Sequence, residues 1–252
     1  MADYRLEKII AVRTDKTIYR EGGRVIKVMG PSYPGSDVLS EALNLACVNE
    51  SPLKTPRLLE VVRIEDKWAI VWEYIQGRTL AELMESEKSR FDEHLKRFVD
   101  IQLEMHRHSA TRLPLLTEKL HRKIHASGLD ATARYELRTR LESLPRHTKL
   151  CHGDFNPSNI IITGDDEAYI IDWSHAAQGN ASADAAQTYL LFWLAGNIDA
   201  AGTYLDCFCA RSDTAKQYVQ KWISVIAASR LPKAKPEEKE FLLHWANVVE
   251  YE

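Results

Sequence analysis

Residues 150–173 read LCHGDFNPSNIIITGDDEAYIIDW, and this stretch is the most informative part of the sequence. Two apolar segments, 160–163 and 169–172, flank a Gly-Asp-Asp turn and predict a β-hairpin. A hairpin brings its two ends side by side, so we expect Asn159 and Asp172 to lie close together. Mg²⁺ prefers amide and carboxylate oxygens and commonly takes only one or two ligands from the protein. The hairpin therefore predicts a magnesium site at its open end.

A further carboxylate, that of Asp154, lies on the irregular loop before the hairpin. A side chain at this place can orient a substrate hydroxyl and accept its proton, as the general base does in phosphoryl transfer. The alternative is a buried hairpin whose Asp and Asn residues only form turns, as they do in many folds. Three oxygen-bearing side chains near one hairpin end, with a cation available from the N-terminal part, favour the catalytic interpretation.

The N-terminal third has the pattern of β-strands separated by turns. The predicted strands are residues 9–13, 17–21, 24–29, 58–64 and 68–74. Between the third and fourth strands, residues 38–48 have apolar side chains at helical spacing, with Ser36 or Asp37 as the N-terminal cap. These elements form a five-stranded antiparallel sheet with one helix.

After Gly77 the apolar spacing changes from the strand period to the helix period. The predicted helices are residues 79–86, 92–108 and 131–144, and the chain is again mostly helical from residue 182. We therefore predict an α+β protein with two lobes. The strand-rich lobe covers residues 1–76, and the mostly helical lobe covers residues 77–252.

Composition limits which functions the chain can have. Of its 252 residues, 45% are hydrophobic and 27% are charged, which is ordinary for a globular protein. The net charge of −3, without a long basic run, argues against a nucleic-acid partner. No segment is apolar enough to span a membrane, and the N-terminus lacks the apolar core of a signal peptide, so we expect a cytoplasmic protein. The four cysteines are scattered and are interpreted as reduced thiols.

The segment HGDFNPSN followed by IIDW resembles the catalytic and metal-binding loops of the aminoglycoside phosphotransferase and choline kinase family, relatives of protein kinases. The similarity extends from about Glu7 to Ala186. It implies a two-lobed protein-kinase-like fold and an enzyme that uses ATP and Mg²⁺ to phosphorylate a hydroxyl of a small molecule. It also implies that residues 1–76 are the nucleotide-binding lobe and residues 77–252 the catalytic and substrate-binding lobe.

The resemblance implies a role for each matching residue of these loops. Asp154 matches the catalytic base, and Asn159 and Asp172 match the magnesium ligands. His152 matches the histidine that braces the catalytic loop. Asp184 resembles an aspartate that holds this loop from below.

The implied phosphate contacts come from the first lobe. Lys27 lies within an apolar strand, where an isolated lysine usually faces solvent. In kinase-like folds the strand lysine contacts the α- and β-phosphates and pairs with a helix glutamate, which here would be Glu41. The alternative for Glu41 is a solvated acid in the first turns of its helix.

The adenine contacts are implied for the linker Glu73, Tyr74 and Ile75, through their main chain and an apolar wall. The sequence departs from protein kinases between the first two strands, where a glycine-rich loop is missing. Cover for the phosphates would then come from the backbone of residues 13–17 or from Lys16.

Two other functions are compatible with parts of this pattern. A protein kinase is disfavoured because HGD stands in place of HRD, no APE-like segment follows, and there is little room for an activation loop after Trp173. A non-catalytic nucleotide-binding module is disfavoured because all four residues predicted to contact phosphate, metal and hydroxyl are present.

The acceptor is left open between an amino alcohol, a sugar and an aminoglycoside. Choline-like acceptors need an aromatic cage, and aminoglycosides need an acidic pocket. Candidate contacts are Trp193, Tyr204, Trp222, Trp245, Asp206, Glu237, Glu238 and Glu250. The modest net charge favours a small alcohol or amino alcohol over an antibiotic. His121 and His125, spaced i, i+4, lack a third ligand and are interpreted as solvent-facing.

Overall fold

Five antiparallel strands form a sheet in the N-terminal part of the protein. The computed structural model describes residues 4–13 and 15–247. The strands are β1 (Lys8–Arg13), β2 (Lys16–Glu21), β3 (Arg24–Met29), β4 (Leu58–Ile64) and β5 (Lys67–Glu73). They lie in the order β1-β2-β3-β5-β4, and every neighbouring pair is antiparallel. The predicted five-stranded sheet is confirmed, with each strand within about one residue of its predicted bounds.

Strand β3 lies at the centre of this sheet, between β2 and β5. On one face Ile26 and Val28 form a core cluster with side chains of β5. On the other face Met29 packs against helix α1 (Gly35–Asn49). Because both faces of β3 are buried, a charged side chain on this strand needs a partner, and Lys27 is that side chain.

Helix α1 begins earlier than the sequence predicts. Its N-cap is Pro34, with φ −64° and ψ 131°, and no side chain caps the helix. Ser36 and Asp37 already lie in the first turn, so the prediction that either is the cap was wrong. Proline fixes φ at a value that leads directly into a helix, which moves the start towards the N-terminus. Asp37 still suits this end because a carboxylate is favoured near the positive end of the helix dipole.

The β-hairpin predicted from residues 160–163 and 169–172 is present. Strand β8 (Ile160–Ile162) pairs antiparallel with β9 (Ala168–Ile170) and, on its other edge, with β6 (Arg78–Thr79). Gly77 precedes β6 at a point without room for a side chain, because a Cβ there would lie 2.3 Å from the carbonyl oxygen of Ile162. Glycine is therefore required where the chain leaves the five-stranded sheet.

Helices dominate the rest of the chain. They are α2 (Leu80–Ser86), α3 (Phe91–His106), α4 (Leu116–His125), α5 (Ala131–Ser143), α6 (Ala181–Leu194), α7 (Ile198–Ser212), α8 (Lys216–Arg230) and α9 (Pro236–Asn247). Two three-residue strands, β7 (Lys149–Cys151) and β10 (Ala177–Gly179), pair antiparallel. The predicted α+β class, with a mostly helical C-terminal part, is confirmed.

The chain divides into two compact units. The first contains the described residues up to Leu83 together with Pro157–His175, and the second contains Met84–Asn156 and the described residues from Ala176 onward. The predicted lobes, residues 1–76 and 77–252, are functional assignments and stay a prediction. None of the helices within residues 4–13 and 15–247 has the length and apolar character needed to cross a bilayer.

Candidate active site

A cavity of about 420 Å³ is built entirely from residues of the first unit. This volume is in the range of small-molecule binding sites. Its lining includes every residue predicted to contact nucleotide or metal: Lys27, Glu41, Glu73, Tyr74, Ile75, Asn159 and Asp172. Residues of the sheet, of α1 and of the hairpin therefore line one cavity.

Lys27 supplies a buried positive charge to the wall of this cavity. Its side chain is only 2% exposed and forms an ion pair with Glu41 of α1. Burial alone would lower the pKa of Lys27, but the carboxylates of Glu41 and Asp172 outweigh burial and raise this pKa above its ordinary value. The ammonium group therefore remains charged although it is out of water.

Lys16, the first residue of β2, brings a second ammonium group to the same wall. Burial and the positive charge of Lys27 lower the pKa of Lys16, while Asp172 and Glu41 act in the opposite direction. The two lysines repel each other, so an anion bound between them would be stabilised by both. The side chain of Lys16 therefore lies at the cavity wall, beside Lys27.

Asn159 and Asp172 lie next to each other at the open end of the hairpin. The N–H of Ile171 donates a hydrogen bond of 2.9 Å to the carbonyl oxygen of Asn159. This confirms the proximity predicted from the hairpin. Asp172 has φ 60°, a left-handed conformation that is uncommon for residues other than glycine. Backbone strain of this kind is concentrated at functional sites.

The segment that follows Asp172 is held by helix α1. The side-chain amide of Asn44 donates to the carbonyl oxygens of Trp173 at 3.4 Å and of Ser174 at 3.2 Å. Asn44 lies three residues after Glu41 on the same side of the helix. The helix that carries the partner of Lys27 therefore also holds the chain beside Asp172. Sequence reasoning did not identify Asn44.

The linker residues have fewer free main-chain groups than expected. The N–H of Glu73 donates to the carbonyl oxygen of Arg57 at 3.0 Å, and the N–H of Tyr74 donates to the carbonyl oxygen of Gly23 at 2.9 Å. By contrast, the N–H of Ile75 makes no hydrogen bond with any residue in the described part of the chain. Of the three amides, that of Ile75 is the one available to a ligand.

In the second unit, the loop that carries Asp154 is organised around the buried carboxylate of Asp184. Oδ1 of Asp184 accepts a hydrogen bond from the N–H of Gly153 at 2.7 Å, and Oδ2 accepts one from the N–H of His152 at 3.2 Å. Nε2 of His106 lies 3.1 Å from the same Oδ2. The contact between Asp184 and this loop, which the family resemblance implies, is present.

These donors keep Asp184 ionised. Burial would raise its pKa, but the hydrogen bond and charge of His106, together with the amide of Gly153, hold the pKa of Asp184 below its usual value. His106 was not among the predicted site residues. It lies on the buried face of α3 with Phe98 and Gln102, and this helical spacing was the one available signal.

The loop also contains short-range hydrogen bonds. The N–H of Asp154 donates to Nδ1 of His152 at 3.2 Å, so this ring nitrogen acts as the acceptor. The side-chain amide of Asn156 donates to the carbonyl oxygen of Asp154 at 2.9 Å. His152 itself is fully buried, with its ring against Phe155. The backbone on both sides of Asp154 is therefore fixed.

The sequence places this protein in a known enzyme family. A sequence model of the phosphotransferase enzyme family (APH) matches residues 14–218, which is most of the chain. The chain belongs to this family. The protein is therefore an enzyme of the kinase type, a phosphotransferase, as the sequence predicts. No curated protein sequence matches it.

Solved structures with the same fold are aminoglycoside phosphotransferases and a choline kinase relative. A mutant of aminoglycoside phosphotransferase APH(4)-Ia in ternary complex with AMP-PNP and hygromycin B has a TM-score of 0.67 and 17% identity, covering 94% of this chain and 89% of that one. An aminoglycoside-3′-phosphotransferase of type VIII has a TM-score of 0.63 and 17% identity, covering 90% and 93%. A choline/ethanolamine kinase family protein from Mesorhizobium loti has a TM-score of 0.59 and 15% identity, covering 98% and 83%. These similarities confirm the predicted kinase-like fold.

The aromatic residues considered for a cage do not form one in this phosphotransferase. Tyr204 and Trp222 are core residues, with exposures of 0% and 1%. Trp193 stacks on Phe241 with ring centroids 5.8 Å apart, and both contact Trp245. The rings therefore pack against each other instead of around an empty space.

The described acidic candidates for the acceptor site either bond to other residues of the chain or are exposed to solvent. Asp206 forms an ion pair with Lys216 at 2.6 Å, and Glu238 accepts a hydrogen bond from the N–H of Lys235 at 3.1 Å. Glu237 is exposed, and Glu250 lies outside the described residues.

The two histidines predicted to face solvent differ in exposure. His125 is exposed, whereas His121 is half-buried with Nε2 3.9 Å from a carboxylate oxygen of Glu142. The solvent-facing interpretation therefore fits His125 better than His121.

Proposed function

We propose that this phosphotransferase moves the γ-phosphoryl group of ATP onto a hydroxyl of a small molecule. The bond between the γ-phosphorus and the oxygen that bridges it to ADP breaks, and a bond forms between phosphorus and the acceptor oxygen. The proton of the acceptor hydroxyl passes to the carboxylate of Asp154, and ADP leaves. The observation that carries the proposal is the cavity in which the charged Lys27 lies together with Asn159 and Asp172.

The proposed donor site is the cavity of the first unit. Lys27 binds the α- and β-phosphates, and its ion pair with Glu41 keeps the ammonium group in place when no anion is bound. Lys16 contacts the phosphates from the side that a glycine-rich loop covers in protein kinases. The free N–H of Ile75 donates to adenine, and the side chains of Glu73 and Tyr74 form the wall beside it.

The residues at the open end of the hairpin fit magnesium. Asn159 and Asp172 offer one amide oxygen and one carboxylate, which is the number of protein ligands that Mg²⁺ commonly takes when phosphates and water supply the rest. Within the described ranges, no three His, Cys, Asp or Glu side chains come together in a way that could hold a metal. When bound, magnesium would neutralise charge on the transferred phosphoryl group.

The proposed catalytic base is Asp154, with His152 as the residue that positions it. The hydrogen bonds of this loop to Asp184 and to its own side chains fix the backbone on both sides of the base. Fixed orientation is worth more than bond-making in a loose phosphoryl-transfer transition state. The acceptor class is left open among small hydroxyl compounds, of which amino alcohols, sugars and aminoglycosides follow the family's pattern, and use of ATP suits a cytoplasmic enzyme.

Turnover of ATP by the purified protein tests this proposal. With magnesium and a panel of amino alcohols, sugars, hydroxy acids and aminoglycosides, at least one acceptor should raise ADP production. Asp154→Asn should lower kcat for that acceptor roughly 10²-fold or more, because a positioned base contributes that much. The affinity for AMP-PNP should stay unchanged.

A matched control is Asp165→Asn, which alters an exposed carboxylate in the hairpin turn and should leave kcat unchanged. Equal turnover in wild type and Asp154→Asn would contradict the assigned base. AMP-PNP binding without turnover of any acceptor would favour the non-catalytic module instead.

A further inference from the structure

Two cations of the second unit lie in the electrostatic field of Asp154. Lys123 is in the last turn of α4, and Arg230 is the last residue of α8. These two helices pack against each other. Lys123 and Arg230 repel one another, and Asp154 attracts both of them. The proposed base therefore has two positive side chains in its surroundings, contributed by two different helices.

Neither cation has a partner within the described part of the protein. Lys123 makes no hydrogen bond or ion pair with any residue of the described ranges. The same holds for Arg230, whose Nε is buried without an acceptor in residues 4–13 and 15–247. Both side chains are half-buried, so water replaces the missing partner only in part. Cationic groups in this position are stabilised by a bound anion.

The other charged groups nearby do not supply a close counter-ion for Lys123 or Arg230. Lys233 adds a third positive charge to the surroundings of Lys123. Glu238 attracts Arg230 from a distance, without an ion pair between the two, and its carboxylate accepts a hydrogen bond from the N–H of Lys235. Lys119, one turn before Lys123, donates to the carbonyl oxygen of Ala176 at 3.0 Å. Burial of these cations lowers the pKa of Lys123 and of Arg230, the cost expected for charges without a close counter-ion.

This excess of positive charge opposes cationic acceptors. A polycationic aminoglycoside or a quaternary ammonium compound would be repelled from the surroundings of Asp154. An acceptor that carries a carboxylate or a phosphate would be attracted, and a guanidinium can bind either group through two parallel hydrogen bonds. The positive charge around Asp154 therefore favours anionic acceptors, although the net charge of the whole chain is negative.

We propose that Lys123 and Arg230 bind an anionic group of the acceptor, so that the substrate is a small hydroxyl compound that also carries a carboxylate or a phosphate. The inference rests on the proposed function, because it assigns the acceptor of the reaction in which Asp154 is the base. The anionic group takes no part in bond-making. It anchors the molecule while one of its hydroxyls reacts.

Binding of anions to protein already saturated with AMP-PNP and magnesium tests the inference, since AMP-PNP occupies the places of all three phosphates of ATP. The probes are glycerate and glucose 6-phosphate, each with its uncharged counterpart, glycerol or glucose, and choline as the cation. Calorimetry should detect one of the two anions and not its uncharged counterpart. Which of them binds distinguishes a carboxylate from a phosphate acceptor.

Arg230→Gln and Lys123→Gln should each weaken binding of that anion by roughly tenfold or more, as expected for a lost charge-assisted hydrogen bond. Arg230→Lys should weaken it less. The matched controls are Arg122→Gln on α4 and Lys221→Gln on α8, because both side chains are exposed. They should leave anion binding unchanged. Unchanged melting temperatures show that the variants are folded.

Two results would overturn the inference. One is that no anion binds to the AMP-PNP-loaded protein in a way that depends on Lys123 or Arg230. The other is that the variants weaken AMP-PNP itself, which would make the two cations part of the donor site. Failure of wild-type protein to bind AMP-PNP would instead contradict the proposed function, so the two failures are distinguishable.

Discussion

Nε2 of His106 lies 3.1 Å from Oδ2 of Asp184, and both side chains are buried. This contact joins the end of helix α3 to the loop that carries Asp154, because the same carboxylate accepts the N–H groups of His152 and Gly153. Burying a carboxylate costs folding free energy unless hydrogen-bond donors surround it, and burying those donors costs free energy unless they have an acceptor. The loop conformation and the charge of Asp184 therefore depend on each other.

Asp184→Asn should destabilise the protein by about 3 kcal/mol. The substitution removes a charge that three donors satisfy and places an NH₂ group against at least one of them. The free energy of unfolding, measured with urea, checks this. Asp199→Asn, at an exposed position in the first turn of α7, should change it by less than about 0.5 kcal/mol. A similar small effect at both positions would contradict the role of the Asp184 network.

Acid should remove the contribution of Asp184. Its folded-state pKa lies below the unfolded-state value of about 3.9, so its stabilisation is complete above that value and is lost as pH falls through the lower folded-state pKa. The difference in unfolding free energy between wild type and Asp184→Asn should be constant above a pH of about 5 and shrink below about 4. A difference that does not depend on pH would show that Asp184 is not held ionised.

Lys27→Met should weaken the use of ATP. The variant loses the buried ammonium group at the cavity wall and leaves Glu41 without its partner. We expect kcat/KM for ATP to fall roughly 10²-fold, the usual effect of removing one pre-organised group that stabilises charge. Lys8→Met changes an exposed lysine of the edge strand β1 and should have no effect on this ratio. Equal values of kcat/KM for ATP in the two variants would show that Lys27 does not contact the phosphates.

The strands could be predicted closely because their pattern is local. Alternation of side chains and turn residues located all five strands of the sheet, and the Glu65–Asp66 turn adopts the positive φ values expected of a tight hairpin. The start of α1 was missed because the extended Pro34, not a side-chain cap, ends the preceding loop. Strands β7 and β10 were missed because three residues carry too little periodicity to recognise.

The site could be predicted where its residues are close in sequence or fixed by one hairpin. Asn159 and Asp172 fall in that group. His106 and Asp184, or Lys123 and Arg230, come from separate helices, and nothing in either helix alone indicates its partner. Asn44 is a similar case, since it reaches the chain beside Asp172 from α1. Such contacts depend on how helices pack, which periodicity does not determine.

Asp172→Asn should separate the metal-binding role of this side chain from its backbone role. Asparagine tolerates the left-handed conformation as well as aspartate does, so the backbone at this position should keep its conformation. The loss of a carboxylate ligand should raise the magnesium concentration needed for half-maximal activity, measured by titration at fixed ATP. Asp166→Asn is the matched control, because Asp166 has φ 61° in the exposed hairpin turn. The proposal of a metal ligand would fail if both variants had the wild-type magnesium requirement.

Gly77→Ala should lower stability at the exit from the five-stranded sheet. The added Cβ would lie 2.3 Å from the carbonyl oxygen of Ile162 and 2.7 Å from Cγ2 of Ile161, so the hairpin must move away from strand β6. We expect a loss of about 2 kcal/mol, as for overpacking elsewhere, measured by urea unfolding. Gly202→Ala is the control, since a Cβ at this helical position meets nothing within 4 Å and should stabilise α7 by up to about 1 kcal/mol. Because the hairpin carries Asn159 and Asp172 at its open end, Gly77→Ala should also raise the magnesium requirement. A destabilised variant with wild-type magnesium dependence would show that the hairpin end is positioned by α1 and Asn44 alone.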